Sequence, residues 1–289
     1  MSGAAEPVAA PRRRLRVPDL LRHRSLGAGS ILVALILLAL VLAPLLTAAD
    51  PAVQDPMAAF SPPSREHPMG TDSFGRDLFA RVLYGGRTTV MASLGVVLLG
   101  GTAGVTLGLV AGYAGGAVRF VLMRLVDLML AFPGILLALA VSAVLGPGLL
   151  NGVFAVAIVV TPIYARLVEG ATGEVRHLPY VDAAVVLGAR APRVVLRHIL
   201  PNISPGIIVL TTTWIGVAVL WIAALGFIGV GVQPPRPEWG VILNDGQNYI
   251  TLAWWITVFP GLFLALFVIG VNLIGDGLRD GLDPTLSRF

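Results

Sequence analysis

Few side chains in this sequence could do chemistry, and most fall in two runs. Gly70–Arg87 holds Asp72, Arg76, Asp77, Arg81 and Arg87. Arg176–Arg193 holds Tyr180, Asp182 and Arg190 among small and apolar residues. The other charges sit near the ends of apolar stretches: Asp127 one helical turn after Arg124, and Glu169 after Arg166. Several chemistries are excluded outright. The chain has no cysteine, so disulfides, thiolate-ligated zinc, iron–sulfur clusters and a thiol nucleophile are out. All 20 basic residues are arginine. A P-loop needs a lysine to reach the phosphates, and Schiff-base catalysis needs one as nucleophile. If nucleotide hydrolysis drives this protein, another chain must supply it.

The elements that must position these groups belong in a bilayer. Of 289 residues, 56% are hydrophobic and only 12% charged, with a mean hydropathy of +0.85. A soluble domain carries about 25% charge. Six stretches approach the roughly 20 apolar residues a spanning helix needs: 27–48, 89–112, 125–146, 150–168, 206–230 and 252–274. Arg12, Arg13, Arg14, Arg16, Arg22 and Arg24 precede the first. A cleaved signal peptide, or a twin-arginine export signal, is the competing reading of that segment, since Thr47-Ala48-Ala49 loosely resembles a cleavage site. A signal h-region is only about 7–15 residues long, so an uncleaved anchor is expected. With the N-terminus inside, 15 arginines fall in inside segments and five (Arg65, Arg76, Arg81, Arg87 and Arg236) outside. The positive-inside rule then places both termini in the cytoplasm. The net charge of +4 is read as this loop bias, with no nucleic-acid partner.

Within the spans, Gly100, Gly104, Gly108, Gly112 and Gly116 recur every four residues. Such a face predicts close helix packing, or a surface that slides during a transport cycle. Pro44, Pro133, Pro162 and Pro260 lie inside spans and predict kinks. No span has a charge at its midpoint, which counts against an ion-coupled carrier. Trp214 and Trp221, seven apart, share a face with hydroxyls nearby at Thr211–Thr213.

Two connectors are long. Residues 50–87 are outside and begin proline-rich; the charges of Gly70–Arg87 are balanced enough to form a solvated, self-satisfied pre-helix. Residues 170–205 are inside and predict two short helices, one over Asp182–Ala191 ended by Pro192 and one over Val194–Leu200. The first is mostly alanine and valine, which predicts burial against a protein partner.

That connector carries a pattern. Asp182-Ala183-Ala184, three residues, Gly188, then His198-Ile199-Leu200-Pro201-Asn202 resembles the EAA loop of ATP-binding-cassette importer permeases, with Asp in place of the usual Glu. Gly70-Thr71-Asp72-Ser73-Phe74-Gly75-Arg76-Asp77, Arg124-Leu125-Val126-Asp127 with Ala131-Phe132-Pro133, Gly231–Pro235 with Glu238-Trp239-Gly240, and Asn272–Asp280 with Leu282-Asp283-Pro284 are similar to segments of dipeptide and oligopeptide permeases of the DppC/OppC type, in the same order.

The resemblance implies an all-α, polytopic membrane protein with six transmembrane helices and the type I importer permease fold. Its parts would be a cytoplasmic tail (1–26), a first span (27–48), an outer loop with a short helix (49–87), a five-helix core (88–275) with its coupling loop (170–205), and a cytoplasmic tail (276–289). It implies a non-catalytic plasma-membrane subunit that pairs with a homologous DppB/OppB-type permease, two ATPase subunits and an extracytoplasmic binding protein. ATP and magnesium would belong to the ATPases, with no cofactor in this chain. Tyr180, Asp182, Ala183, Ala184, Gly188 and Arg190 are then expected at the ATPase contact. Thr211, Trp214, Trp221 and Asp127 are expected along the path, and Asp72, Arg76, Asp77 and Trp239 at an outer gate or binding-protein dock; Trp239 could equally be an interfacial anchor. Di- or oligopeptides are the expected cargo; relatives of this general type also carry nickel chelates or haem. A self-contained carrier or channel and a non-transporting scaffold are the competing classes.

Overall fold

A computed structural model describes residues 24–282. The arginines from Arg12 to Arg22, the Asp283-Pro284 pair and Arg288 lie outside the described residues. Helices make up nearly all of the fold: α1 (Arg24–Val41), α2 (Ala43–Leu46), α3 (Leu78–Ala114), α4 (Gly116–Leu130), α5 (Gly134–Leu145), α6 (Leu149–Arg176), α7 (Pro179–Val186), α8 (Ala191–Val194), a π-helical turn (Val195–Ile199), α9 (Leu200–Ile228), α10 (Trp239–Gln247) and α11 (Trp255–Leu282). Among the described residues there is no strand beyond one isolated bridge between Thr71 and Asp77. Five helices are long and apolar enough to cross a membrane, six if α4 and α5 count as one span.

The bundle is organised by α3 and α6. At 37 residues, α3 runs about 55 Å. Gly100, Gly104, Gly108 and Gly112 face Ala157, Thr161, Ala165 and Glu169 of α6 so closely that a Cβ on any of them would lie 2.8 Å or less from the opposing carbonyl oxygen. The glycine face is therefore a close packing seam. In lipid, where apolar burial gives helices no reason to associate, contact of this kind holds them together. Gly116 does not belong to the seam: α3 ends at Ala114, and Gly116 has φ +49°. α9 packs against α3, α6 and α11, while α1 lies along α11 with Gly29 against the Gly270 carbonyl.

The expected third span is two helices. α4 stops at Leu130, Pro133 caps α5, and the axes differ by 93°. A proline removes the backbone donor and disfavours helix at the residue before it. Pro44 likewise follows a break at Leu42, whereas Pro162, Pro205 and Pro260 stay inside continuous helices. The second span begins at Leu78, eleven residues before the expected 89, capped by Asp77.

Residues 47–77 form a lobe over the start of α3. The connector near Leu109 lies 31 residues along α3, about 45 Å from the lobe. These two ends, the lobe end and the loop end, hold most of the candidate groups.

Candidate functional site at the two ends of the bundle

At the lobe end the charges are internal. Asp72 is 1% exposed, Arg76 4% and Arg81 1%. One Asp72 oxygen accepts from the backbone N–H of Phe74 (2.8 Å) and Arg76 (3.0 Å); the other accepts from Arg76 Nε at 2.6 Å. Arg81 Nε stands 3.2 Å from the same carboxylate. Both guanidinium groups then donate to Asp245 Oδ2 of α10, at 3.0 and 3.1 Å. Burial holds the Asp245 carboxyl above its ordinary value, an effect that Arg81 and Arg76 only partly offset. Asp77 caps α3 through the Ala80 N–H (2.7 Å) and binds His67 Nδ1 with its other oxygen (2.9 Å).

The solvated pre-helix is thus corrected. Two arginines and two aspartates neutralise one another in a buried network that ties lobe, α3 and α10 together. Asp72 and Arg76 present almost no surface to a docking partner.

Trp239 needs the same correction. It is fully buried, donates from Nε1 to the Val82 carbonyl at 2.9 Å, and packs on Phe263 and Phe267. It is neither an interfacial anchor nor reachable from outside. Its neighbour Glu238, also fully buried, caps α10 by accepting from the Val241 N–H at 3.0 Å, and its other oxygen lies 2.7 Å from Thr89 Oγ1. Burial pushes this carboxyl up, against the hydrogen bonds it accepts. Thr89 Oγ1 also lies 3.1 Å from the Gly85 carbonyl and accepts from the Trp239 N–H. One hydroxyl proton cannot serve both Gly85 and Glu238. At 2.7 Å, Glu238 Oε1 is the nearer partner of the Thr89 hydroxyl, against 3.1 Å for the Gly85 carbonyl.

In the middle of the bundle, the rings of Trp214 and Trp221 meet edge to face at 5.9 Å, as their spacing predicts. Tyr164 of α6 donates to Thr211 Oγ1 at 3.1 Å. The Trp221 ring lies against Gly134, the first residue after the α4–α5 bend. Asp127 is not brought to this face. It pairs with Arg166 of α6 and, at 3.9 Å, with Arg124, in a recess shared with Arg119 and Glu169.

At the loop end, α7 is nearly detached. Only Val181 is buried, in a cluster with Leu109, Val168, Val194, Ile199 and Ile203. Asp182 sits in the first turn, where the helix dipole favours a carboxylate. Ala183 is exposed and Ala184 half-buried; Val185, Val186 and Leu187 are 48%, 86% and 86% exposed. The helix ends earlier than expected because Gly188 turns the chain with φ +83°. No atom lies within 4 Å of where its Cβ would be, so Gly188 serves the turn and not a close approach within this chain. Pro192 opens α8 where the sequence suggests it would end a helix; a proline fits a first turn. The exposed Arg190 occupies the N-cap position of α8 without a side-chain capping bond. Tyr180 bends back toward α9: its hydroxyl accepts from Asn202 Nδ2, and its ring lies 6.4 Å from that of His198.

Residues 104–288 match the family described as binding-protein-dependent transport system inner membrane component. The chain belongs to that family. Among its relatives, the dipeptide transport system permease protein DppC of Alkalihalophilus pseudofirmus is 47% identical over 225 residues, 78% of this chain and 74% of the relative. The glutathione transport system permease protein GsiD of Pectobacterium atrosepticum is 45% identical over 78% of this chain and 75% of its own length. A putative peptide transport system permease of Brucella abortus is 42% identical over 97% of this chain and 93% of its own. An inward-facing structure of the MetNI methionine ABC transporter shares the fold, with a TM-score of 0.56 over 70% of this chain and 96% of that one at 20% identity. The chain is therefore a multi-pass inner-membrane permease of an ABC importer, a class that works with ATPase and binding-protein partners.

Sequence reasoning does not reach Asp245. Its partner Arg76 lies 169 residues away, and no local spacing signals such a pair. Arg81 is within reach, nine residues after Asp72 in a run of balanced charge.

Proposed function

We propose that this permease imports di- or oligopeptides, sharing its translocation path with a homologous DppB/OppB-type permease. Of two ATPase subunits that bring ATP and magnesium, one would take α7 into a surface groove, and an extracytoplasmic binding protein would deliver the peptide. The observation that carries this reading is α7: a short helix exposing Val185, Val186 and Leu187, far along α3 from the lobe, in a chain with no lysine for a P-loop of its own. The relatives named for dipeptides and for glutathione, itself a small peptide, support the cargo class. α9 supports passage with little selectivity, since Leu200–Ile228 offers hydroxyls and indoles but no charged side chain.

In this reading the loop end faces the cytoplasm, with both termini. Arg119, Arg124, Arg166, Arg176, Arg190, Arg193 and Arg197 belong to that side. Two of the arginines assigned to the opposite side, Arg76 and Arg81, are neutralised internally. The test is reconstitution. Vesicles holding the assembled complex should take up radiolabelled dialanine only with ATP and binding protein. Uptake by this chain alone, driven by an ion gradient, would refute the reading in favour of a self-contained carrier. A complex that binds ATPases yet moves no peptide would refute it in favour of a scaffold.

A further inference from the structure

α7 has two kinds of connection to the bundle. One is covalent and compliant: toward α9 the chain runs through the Gly188 turn and then the π-helical turn Val195–Ile199. A π-turn is an irregular insertion in a helix and is common at functional positions. The other is through side chains. Val181 enters an apolar cluster from α3, α6, α8, the π-helical turn and the start of α9, a contact without direction that tolerates sliding or rolling. Tyr180 differs, because its hydroxyl meets the Asn202 carboxamide in a hydrogen bond that spans 22 residues of chain and bypasses both compliant segments. Hydrogen bonds are directional. Asn202 is the third residue of α9, the helix that carries Thr211, Trp214 and Trp221. Trp221 lies 19 residues further on, about 28 Å along one helix.

We infer that Tyr180 is a positioning residue whose hydroxyl, held by Asn202, transmits displacement of α7 to α9. This replaces the expectation, drawn from the family resemblance, that Tyr180 contacts the ATPase. It rests on the proposed docking of α7. It predicts that Tyr180 and Asn202 act as one unit, in coupling and not in assembly.

The test uses the complete complex in vesicles with Y180F, N202L, their double variant and N202D. Three quantities are read: ATPase subunits retained on purification, ATP hydrolysis, and dialanine imported per ATP. Y180F keeps the ring but loses the bond. Both Y180F and N202L should retain the ATPases yet import about two- to tenfold less dialanine per ATP, the range set by loss of one hydrogen bond. The double variant should be no worse than either single one. N202D should keep near-normal coupling, because the Tyr180 hydroxyl can donate to a carboxylate; combined with Y180F it should lose it. Three outcomes overturn the inference: unchanged import per ATP in Y180F, additive losses in the double variant, or loss of ATPase subunits from Y180F but not from N202L. Should N202L fail to assemble, the comparison of N202D with Y180F/N202D carries the same test. Failure of the wild-type complex to import dialanine with ATP would instead count against the proposed function.

Discussion

The lobe end and the loop end both carry the chain's scarce polar groups, and the two are built in opposite ways. At the lobe end, charges turn inward. Asp72, Arg76, Arg81 and Asp245 pair with one another, and Trp239 and Glu238 are fully buried. At the loop end, α7 commits one buried valine and one side-chain hydrogen bond and leaves apolar residues uncovered. A buried charged network is costly to rearrange, because separating any partner strands a charge without water. A helix held by one apolar plug and one exposed side-chain hydrogen bond moves at smaller cost. The contrast separates a frame from a lever: the lobe end fixes α3 and α10 relative to each other, and the loop end is built to be moved.

The contrast can be broken hardest at Trp239. Trp239→Ala removes a fully buried ring and its bond to Val82. It should cost about 3–5 kcal/mol, read as a large drop in thermal stability of the detergent-purified protein. Stability near wild type would show that the lobe end is not a rigid frame.

Arg81→Met comes next. It leaves Asp72 and Asp245 short of a cation. Breaking a buried pair costs roughly 3–5 kcal/mol, and the lower end applies here because Asp245 is partly solvated and Arg76 remains. The same unfolding measurement checks it; a loss below about 1 kcal/mol, the level of an exposed pair, would deny that the network is buried in solution.

The two ends also differ in how much of them is legible in the sequence. The glycine seam and the Trp214–Trp221 pair follow from helical periodicity, and periodicity is local. Gly188 and the early end of α7 are partly legible, since a glycine before Arg190 and Pro192 marks a turn. The lobe is not, because charge balance within Gly70–Arg87 is the same whether water or protein surrounds it. Only the approach of Asp245, from 164 residues beyond Arg81, decides that. A kink at Pro133 is expected from the sequence, but the 93° bend that splits the span into two helices is not. Pro162 and Pro260 show that a proline in an apolar stretch can leave the helix continuous.

Glu238 sharpens the comparison through pH. Its folded pKa is raised above the ordinary 4.5 by burial. The folded state thus holds the proton more tightly than the unfolded state. Its stabilising contribution is complete below pH 4.5 and falls as pH rises toward the folded value, by about 1.4 kcal/mol for each pH unit crossed. Glu238→Gln keeps the shape without the titration. It should change stability by less than about 1 kcal/mol at low pH and flatten the decline at higher pH. A pH profile identical to wild type would show that Glu238 is not the titrating group.

The smallest effect on stability should come from the loop end. Val186→Asp, at an 86% exposed position, should shift unfolding by no more than about 0.5 kcal/mol, yet abolish co-purification with the ATPase subunits. Retained ATPases would remove α7 from the docking surface.

The division into frame and lever is tested most directly by amide hydrogen exchange on the permease, with and without its ATPase subunits. A rigid frame requires slow exchange over residues 78–86 and 240–246 in both states. A movable lever requires fast exchange over residues 180–190 that slows markedly once the ATPases bind. Fast exchange at the lobe end, or an α7 whose exchange ignores the ATPases, would contradict the division.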